Sequence, residues 1–302
     1  MKTKWVVLAS LAMFLILSAL SCQPSTTGSK KSIVVTYSIL GSVVKELVGD
    51  KVNVTVSIPN GLDPHEWEPS AKDIEAINKA DLVVENGLEL EEGMLKTLEA
   101  AKSNGVTFFT ASDYINIRHV GPGEGIPSGD PDQVIGAADP HLWMDPLTMK
   151  TIAGALATVL SADLNLDVTS QSLESQLDSL NTEVVNIVAT IPQGDRKLVT
   201  GHESLGYFAE RYGFKLVGVI TPGLSSQAEV SAADLAALKK AIEENNVRVI
   251  FTEIGTSPAV AKAIGDETGV KLIELTTHAL PNDGSYGTFM IDLATAIADA
   301  LK

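Results

Sequence analysis

Short runs rich in Val and Ile alternate along the chain with amphipathic segments, the pattern of buried parallel strands separated by helices. In the first half it predicts strands at residues 33–37, 52–58, 81–85 and 106–110 and helices near 39–48, 71–79, 90–101 and 146–162. The order then repeats, with strands at 197–200, 215–220, 248–252 and 271–275 and helices near 204–212, 232–245, 257–268 and 285–301. Each half therefore reads as an α/β lobe built on a four-stranded, mostly parallel sheet flanked by helices. Between them, residues 170–191 carry Leu173, Leu177, Leu180, Val184, Ile187 and Val188 at helical spacing, with no Gly or Pro before Pro192. One long rigid helix is expected to join the lobes. Its stripe covers only about three heptads, which suits packing on both lobes rather than a coiled coil.

The first residues set the compartment. Lys2 and Lys4 precede an uncharged apolar run from Trp5 to Leu20, too short for a comfortable membrane span and typical of an export signal. The run ends at Ala19-Leu20-Ser21-Cys22, and Cys22 is the only cysteine, so it has no internal disulfide partner. This segment resembles a bacterial lipobox, with Leu20 one place nearer the cysteine than usual, and implies lipidation of Cys22. The ordinary alternative is secretory cleavage with a spare thiol. The expected plan is a signal peptide at 1–21, a flexible Ser/Thr/Gly-rich tether at 22–31, an N-terminal lobe at 32–168, a connecting helix at 169–192 and a C-terminal lobe at 193–302. The mature chain would then be lipid-anchored to a bacterial membrane, facing the periplasm or the cell exterior. A formal charge of −16 without a basic patch argues against nucleic acid and suits a protein that draws cations, although acidity also serves solubility.

The candidate chemistry lies in three loops. His65 stands in Asn60-Gly61-Leu62-Asp63-Pro64-His65, His141 in Asp139-Pro140-His141-Leu142-Trp143-Met144-Asp145-Pro146, and His202 in Gly201-His202-Glu203-Ser204-Leu205-Gly206-Tyr207. Each follows a predicted strand, where open α/β sheets place their ligands, and the chain has only five histidines. Three imidazoles and one carboxylate would fill a tetrahedral shell around a borderline ion such as zinc. Glu253 and Asp283 also follow strands and are the acidic candidates. His119 and His278 read as exposed or locally hydrogen-bonded, with His278 close enough in sequence to Asp283 to be a reserve ligand. Trp67 and Trp143, each two residues past a candidate histidine, read as packing that holds the imidazoles.

Together with Ser285-Tyr286 and the long middle helix, these segments resemble the zinc- and manganese-binding lipoproteins of bacterial ABC importers, the cluster A-I solute-binding family, over nearly the whole mature chain. The resemblance implies a monomer of two lobes bridged by a rigid helix, with one divalent ion in the cleft for delivery to a membrane permease driven by its ATPase. It also implies His65, His141, His202 and an acidic fourth ligand from the last loop, Asp283, with Glu253 beside the site orienting an imidazole. Two features depart from the family pattern. The acid often directly precedes the Ser/Thr-Tyr pair, whereas here Gly284 fills that place and Asp283 stands one earlier, so Glu253 remains a rival fourth ligand. No histidine-rich loop occurs between Gly121 and Ala138. A third imidazole at His202, where manganese binders often place a carboxylate, favours Zn2+ over Mn2+.

The same residues bear on other functional classes. Three histidines with an open fourth position also describe a hydrolytic zinc. Gly201-His202-Glu203-Ser204-Leu205-Gly206 resembles a nucleophile elbow, but the elbow needs glycine two before the serine and His202 is there. A surface adhesin with a structural zinc has no positive support in the sequence. The expectation is a binding protein rather than an enzyme.

Overall fold

Strand β1 (Ser32–Tyr37) is buried along nearly its whole length and lies between two parallel neighbours. In this computed structural model, which describes residues 30–125 and 135–302, β2 (Asn53–Ile58) pairs on one side of β1 and β3 (Leu82–Glu85) on the other. Strand β4 (Phe108–Thr110) completes a four-stranded sheet in the order β2-β1-β3-β4. The expected signal peptide and Cys22 lie outside the described residues. Helices α1 (Ser38–Val48), α2 (Ala71–Lys79) and α3 (Leu95–Ser103) follow the first three strands, as parallel crossovers require. Helix α2 begins in a reciprocal cap: Ser70 Oγ accepts from the Asp73 amide while the Asp73 carboxylate takes the Ser70 amide.

One expected helix starts late. The pattern predicts helix from residue 90, but α3 begins at Leu95 after a short 3-10 turn over Glu92–Met94. The reason is the buried carboxylate of Glu91, which takes the Asn86 amide at 2.7 Å and the Thr36 hydroxyl at 2.6 Å. It thereby folds residues 86–91 into a loop in which Gly87, Leu88 and Glu89 all have positive φ.

The second half contains β5 (Lys197–Thr200) parallel to β6 (Lys215–Val219) and β7 (Val249–Thr252) parallel to β8 (Lys271–Glu274). The α/β class is as expected, but these four strands form two hydrogen-bonded pairs rather than one continuous ladder. β5 packs beside β7, yet it is four residues long and its register with β6 shifts between Leu198 and Val199, which leaves few aligned groups to extend the sheet. Helices α6 (Gly206–Tyr212), α7 (Ala232–Glu244) and α8 (Pro258–Thr268) connect these strands.

Helix α4 (Pro146–Asp163) is capped by Asp145, whose side chain accepts from the Leu147 amide, with Pro146 in the first turn. The long helix α5 (Gln171–Val188) buries Leu173, Leu177, Leu180, Val184 and Val188, and packs on α4 and on the last helix, α9 (Tyr286–Leu301). That apolar face joins a large core extending from the first sheet to α9, while a smaller core of Val199, Val217, Leu238, Ile250 and Ile264 lies between the second set of strands and α7 and α8. Among the described residues no helix is long and apolar enough to cross a membrane.

Candidate metal centre

The loops that leave β2, β5 and β8 and the long loop after β4 meet at one buried point. The first and last of these use the same local device twice. In Asp63-Pro64-His65 an Asp63 carboxylate oxygen accepts the His65 amide at 2.9 Å, and in Asp139-Pro140-His141 an Asp139 oxygen accepts the His141 amide at 3.0 Å. The intervening proline fixes φ, so each histidine leaves a stiff Asx-type turn. Past β5, the loop presses close to the turn that follows β7: a Cβ on Gly201 would come within 2.1 Å of Thr256 Oγ1, so only glycine permits the approach. There the His202 amide donates to Glu253 Oε1 at 3.1 Å.

Four histidines, His65, His141, His202 and His278, are all buried and offer ring nitrogens within 4.8 Å of one another. Nε2 of His65 lies 3.5 Å from Nε2 of His141, which in turn lies 3.2 Å from Nε2 of His202. The His278 ring stacks on His202 at 5.6 Å between centroids, and its Nε2 is buried without a hydrogen-bond partner.

Every Nδ1 faces outward and is held. His65 Nδ1 donates to Glu92 at 2.9 Å, His141 Nδ1 to Asp139 at 2.9 Å and His202 Nδ1 to Glu253 at 3.1 Å. His278 Nδ1 lies 2.8 Å from the Thr277 hydroxyl, which itself donates to Glu253 Oε2 at 2.7 Å. With its hydrogen committed to Glu253, that hydroxyl can only accept from His278 Nδ1–H. All four Nε2 atoms therefore carry bare lone pairs aimed at one another, an arrangement that repels itself unless a cation sits among them. The separations fit such an ion, because zinc–nitrogen bonds of about 2.0–2.1 Å set nitrogens about 3.3–3.4 Å apart on a tetrahedron.

The electrostatics favour imidazoles of differing basicity. Burial pushes His141 down to about 4, against the pull of Asp139 and assisted by His202 and His65. Burial and the neighbouring His202 likewise push His278 down. Burial works against charge on His202 as well, but the Glu253 carboxylate outweighs it and raises that pKa. Burial would raise Glu253, yet His202 and the hydrogen bonds around it hold its carboxyl well below the usual range.

The structure does not bring the expected fourth ligand, Asp283, to this cluster. Asp283 is exposed at the far end of the loop after β8, where its carboxylate accepts from the Ser285 amide at 3.0 Å and the Thr288 hydroxyl at 2.7 Å, bracing the start of α9. The place beside the other three imidazoles is taken by His278, the reserve candidate. The signal was present: His278 stands four residues past β8, as His202 stands two past β5. Its loop is fixed from both sides, by Trp143 Nε1 donating to the Thr277 carbonyl at 3.0 Å and by Asn60, whose side chain pairs with the Leu280 backbone at 2.7 and 2.9 Å. His119 is the remaining histidine and lies apart, its Nδ1 on the Ile117 carbonyl. Ser204 is fully buried and donates its hydroxyl to the Glu253 carboxylate.

The family model described as zinc-uptake complex component A, periplasmic (ZnuA), matches residues 33–300. The chain is 31% identical to the high-affinity zinc uptake system protein ZnuA of Bacillus subtilis (strain 168), an alignment covering 99% of this chain and 97% of that one. It is 26% identical to the manganese-binding lipoprotein MntA of Halalkalibacterium halodurans, over 96% and 95% of the two chains. The periplasmic zinc binding protein TroA from Treponema pallidum superposes with a TM-score of 0.76 at 25% identity, covering 90% of this chain and 99% of the other. A match over nearly the whole folded body, on a chain whose histidine-bearing loops converge in this way, places the protein in the ZnuA family.

Proposed function

We propose that this chain is the extracytoplasmic solute-binding component of a metal ABC importer, which binds one divalent ion between the lobes at 32–168 and 193–302 and delivers it to a permease driven by its ATPase. His65, His141, His202 and His278 are the ligands, and Glu92, Asp139, Glu253 and Thr277 orient them. The observation that carries this reading is the set of four buried Nε2 atoms facing one another while every Nδ1 is occupied. Zinc is the favoured cargo over manganese, since four neutral imidazoles make a softer site than one containing carboxylates. Relatives named for each ion exist, and the all-imidazole donor set is what supports zinc. The chain is exported as a monomer and anchored through a lipid on Cys22. Hydrolysis is not expected: four protein nitrogens close a tetrahedral shell and leave no position for an activated water.

Calorimetric titration with Zn2+ and X-ray absorption of the loaded protein test this reading together. One ion per chain with four imidazole nitrogens is expected, and His278→Ala should weaken zinc by orders of magnitude while Asp283→Asn leaves it nearly unchanged. An oxygen donor from Asp283 in the shell, or a bound water in the fourth position, would overturn the ligand assignment.

A further inference from the structure

The four-histidine cluster is closed on nearly every side, which raises the question of how a hydrated ion reaches it. Three carboxylates touch its imidazoles, and they differ in access. The side chains of Asp139 and Glu253 are 0% and 2% exposed, whereas that of Glu92 is 34% exposed. Glu92 lies on a cavity of about 570 Å3 that reaches His65 and is also lined by Glu89, Pro140, Leu224 and Ser225. His65 thus belongs both to this cavity and to the cluster, and its ring separates Glu92 on Nδ1 from His141 on Nε2.

We propose that the ion enters and leaves by this cavity, with Glu92 as the group on which it first lands and from which it passes to His65. The inference rests on the four-histidine reading above. An incoming cation carries a tightly held water shell, and an imidazole lone pair buried behind other side chains cannot displace the first of those waters. A half-exposed carboxylate can, because its charge acts across solvent and its oxygen replaces a water directly. Leu224, Pro140 and Leu88 offer no competing charge along the remaining wall, and the Ser225 hydroxyl there is bonded to Glu92, so past the protonated Nδ1 edge of His65 the first bare lone pair the ion meets is His65 Nε2. Glu89 extends the acidic surface at the rim of the same cavity and touches none of the four histidines. On exit the steps reverse: His65 releases the ion to Glu92, and water refills its coordination sphere.

Stopped-flow mixing of the purified protein with Zn2+, and of the loaded protein with a chelator, separates this role from simple support of an imidazole. Glu92→Gln should slow association about tenfold and flatten its dependence on ionic strength. Asp139→Asn, which removes an equally close partner of an imidazole from the buried side, should speed dissociation and leave association within about twofold of the parent. Glu89→Gln, a surface change away from the ligands, should slow association by a smaller factor with dissociation unchanged, and it carries the test if Glu92→Gln folds poorly. The route is overturned if Glu92→Gln alters only dissociation, if Asp139→Asn slows association equally, or if Glu89→Gln leaves association untouched. If the parent binds no zinc at all, the functional reading fails instead.

Discussion

His278 shows how far one side chain sets the chemistry. It is the only one of the four imidazoles whose Nδ1 reaches a carboxylate through a neutral relay, Thr277 to Glu253, and it occupies the position where a carboxylate was expected. His278→Asp would put a hard, charged oxygen into the shell, so zinc affinity should fall while manganese affinity rises by about tenfold or more. Titration of both ions into parent and variant measures this, and an unchanged ratio would remove His278 from the shell. Protons compete for the same lone pairs. His202, raised by Glu253, is protonated before an ordinary imidazole as pH falls, so zinc binding should begin to weaken above about pH 6.5, whereas His141 keeps its lone pair down to about 4. Glu253→Gln removes the charge that favours protonated His202. It should therefore weaken zinc at neutral pH by about 10- to 100-fold while moving the acid loss to lower pH. Zinc titrations between pH 5 and 8 report both effects, and an acid limb that stays in place would contradict the assignment of Glu253.

At the scale of elements, the histidines depend on helices that they do not touch. Leu177 is 2% exposed in the middle of α5, where it holds that helix in the core shared with α4 and α9. Leu177→Ala should cost about 2–5 kcal/mol of stability, read from denaturant midpoints, because the rigid surroundings keep most of the cavity. A loss below about 1 kcal/mol would mean that the helix is loosely seated. The elements themselves were largely legible in the sequence. The alternation of Val/Ile runs with amphipathic segments placed all eight strands within two residues of their observed ends, and the α5 stripe was visible as spaced leucines and valines. The late start of α3 was not legible, because it arises when the Glu91 carboxylate folds back on Asn86 and Thr36, groups brought near it only by the sheet. The split of the second set of strands into two pairs was equally hidden, since hydrogen-bond alignment between β5 and β7 leaves no trace in periodicity.

For the whole molecule, an ion that binds only the folded chain stabilises it by mass action. Zinc at about a thousand times its dissociation constant should add about 4 kcal/mol, which for a chain of this size corresponds to a rise of roughly 7 °C in the thermal midpoint. Calorimetric scans with and without zinc check this, and His141→Ala should abolish the rise; a rise that persists in the variant would locate the ion elsewhere. Local sequence was sufficient for the alternating α/β order, the long apolar helix and the apolar run before Cys22, because each is a property of neighbouring residues, and it marked His65, His141 and His202 as candidates in loops that follow strands. Only the tertiary structure chose the fourth nitrogen and its partners. Which side chains meet depends on where loops from β2, β4, β5 and β8 cross, and the choice between His278 and Asp283, five residues apart on one loop, is made by Trp143 and Asn60, which pin the near end of that loop against the other three histidines.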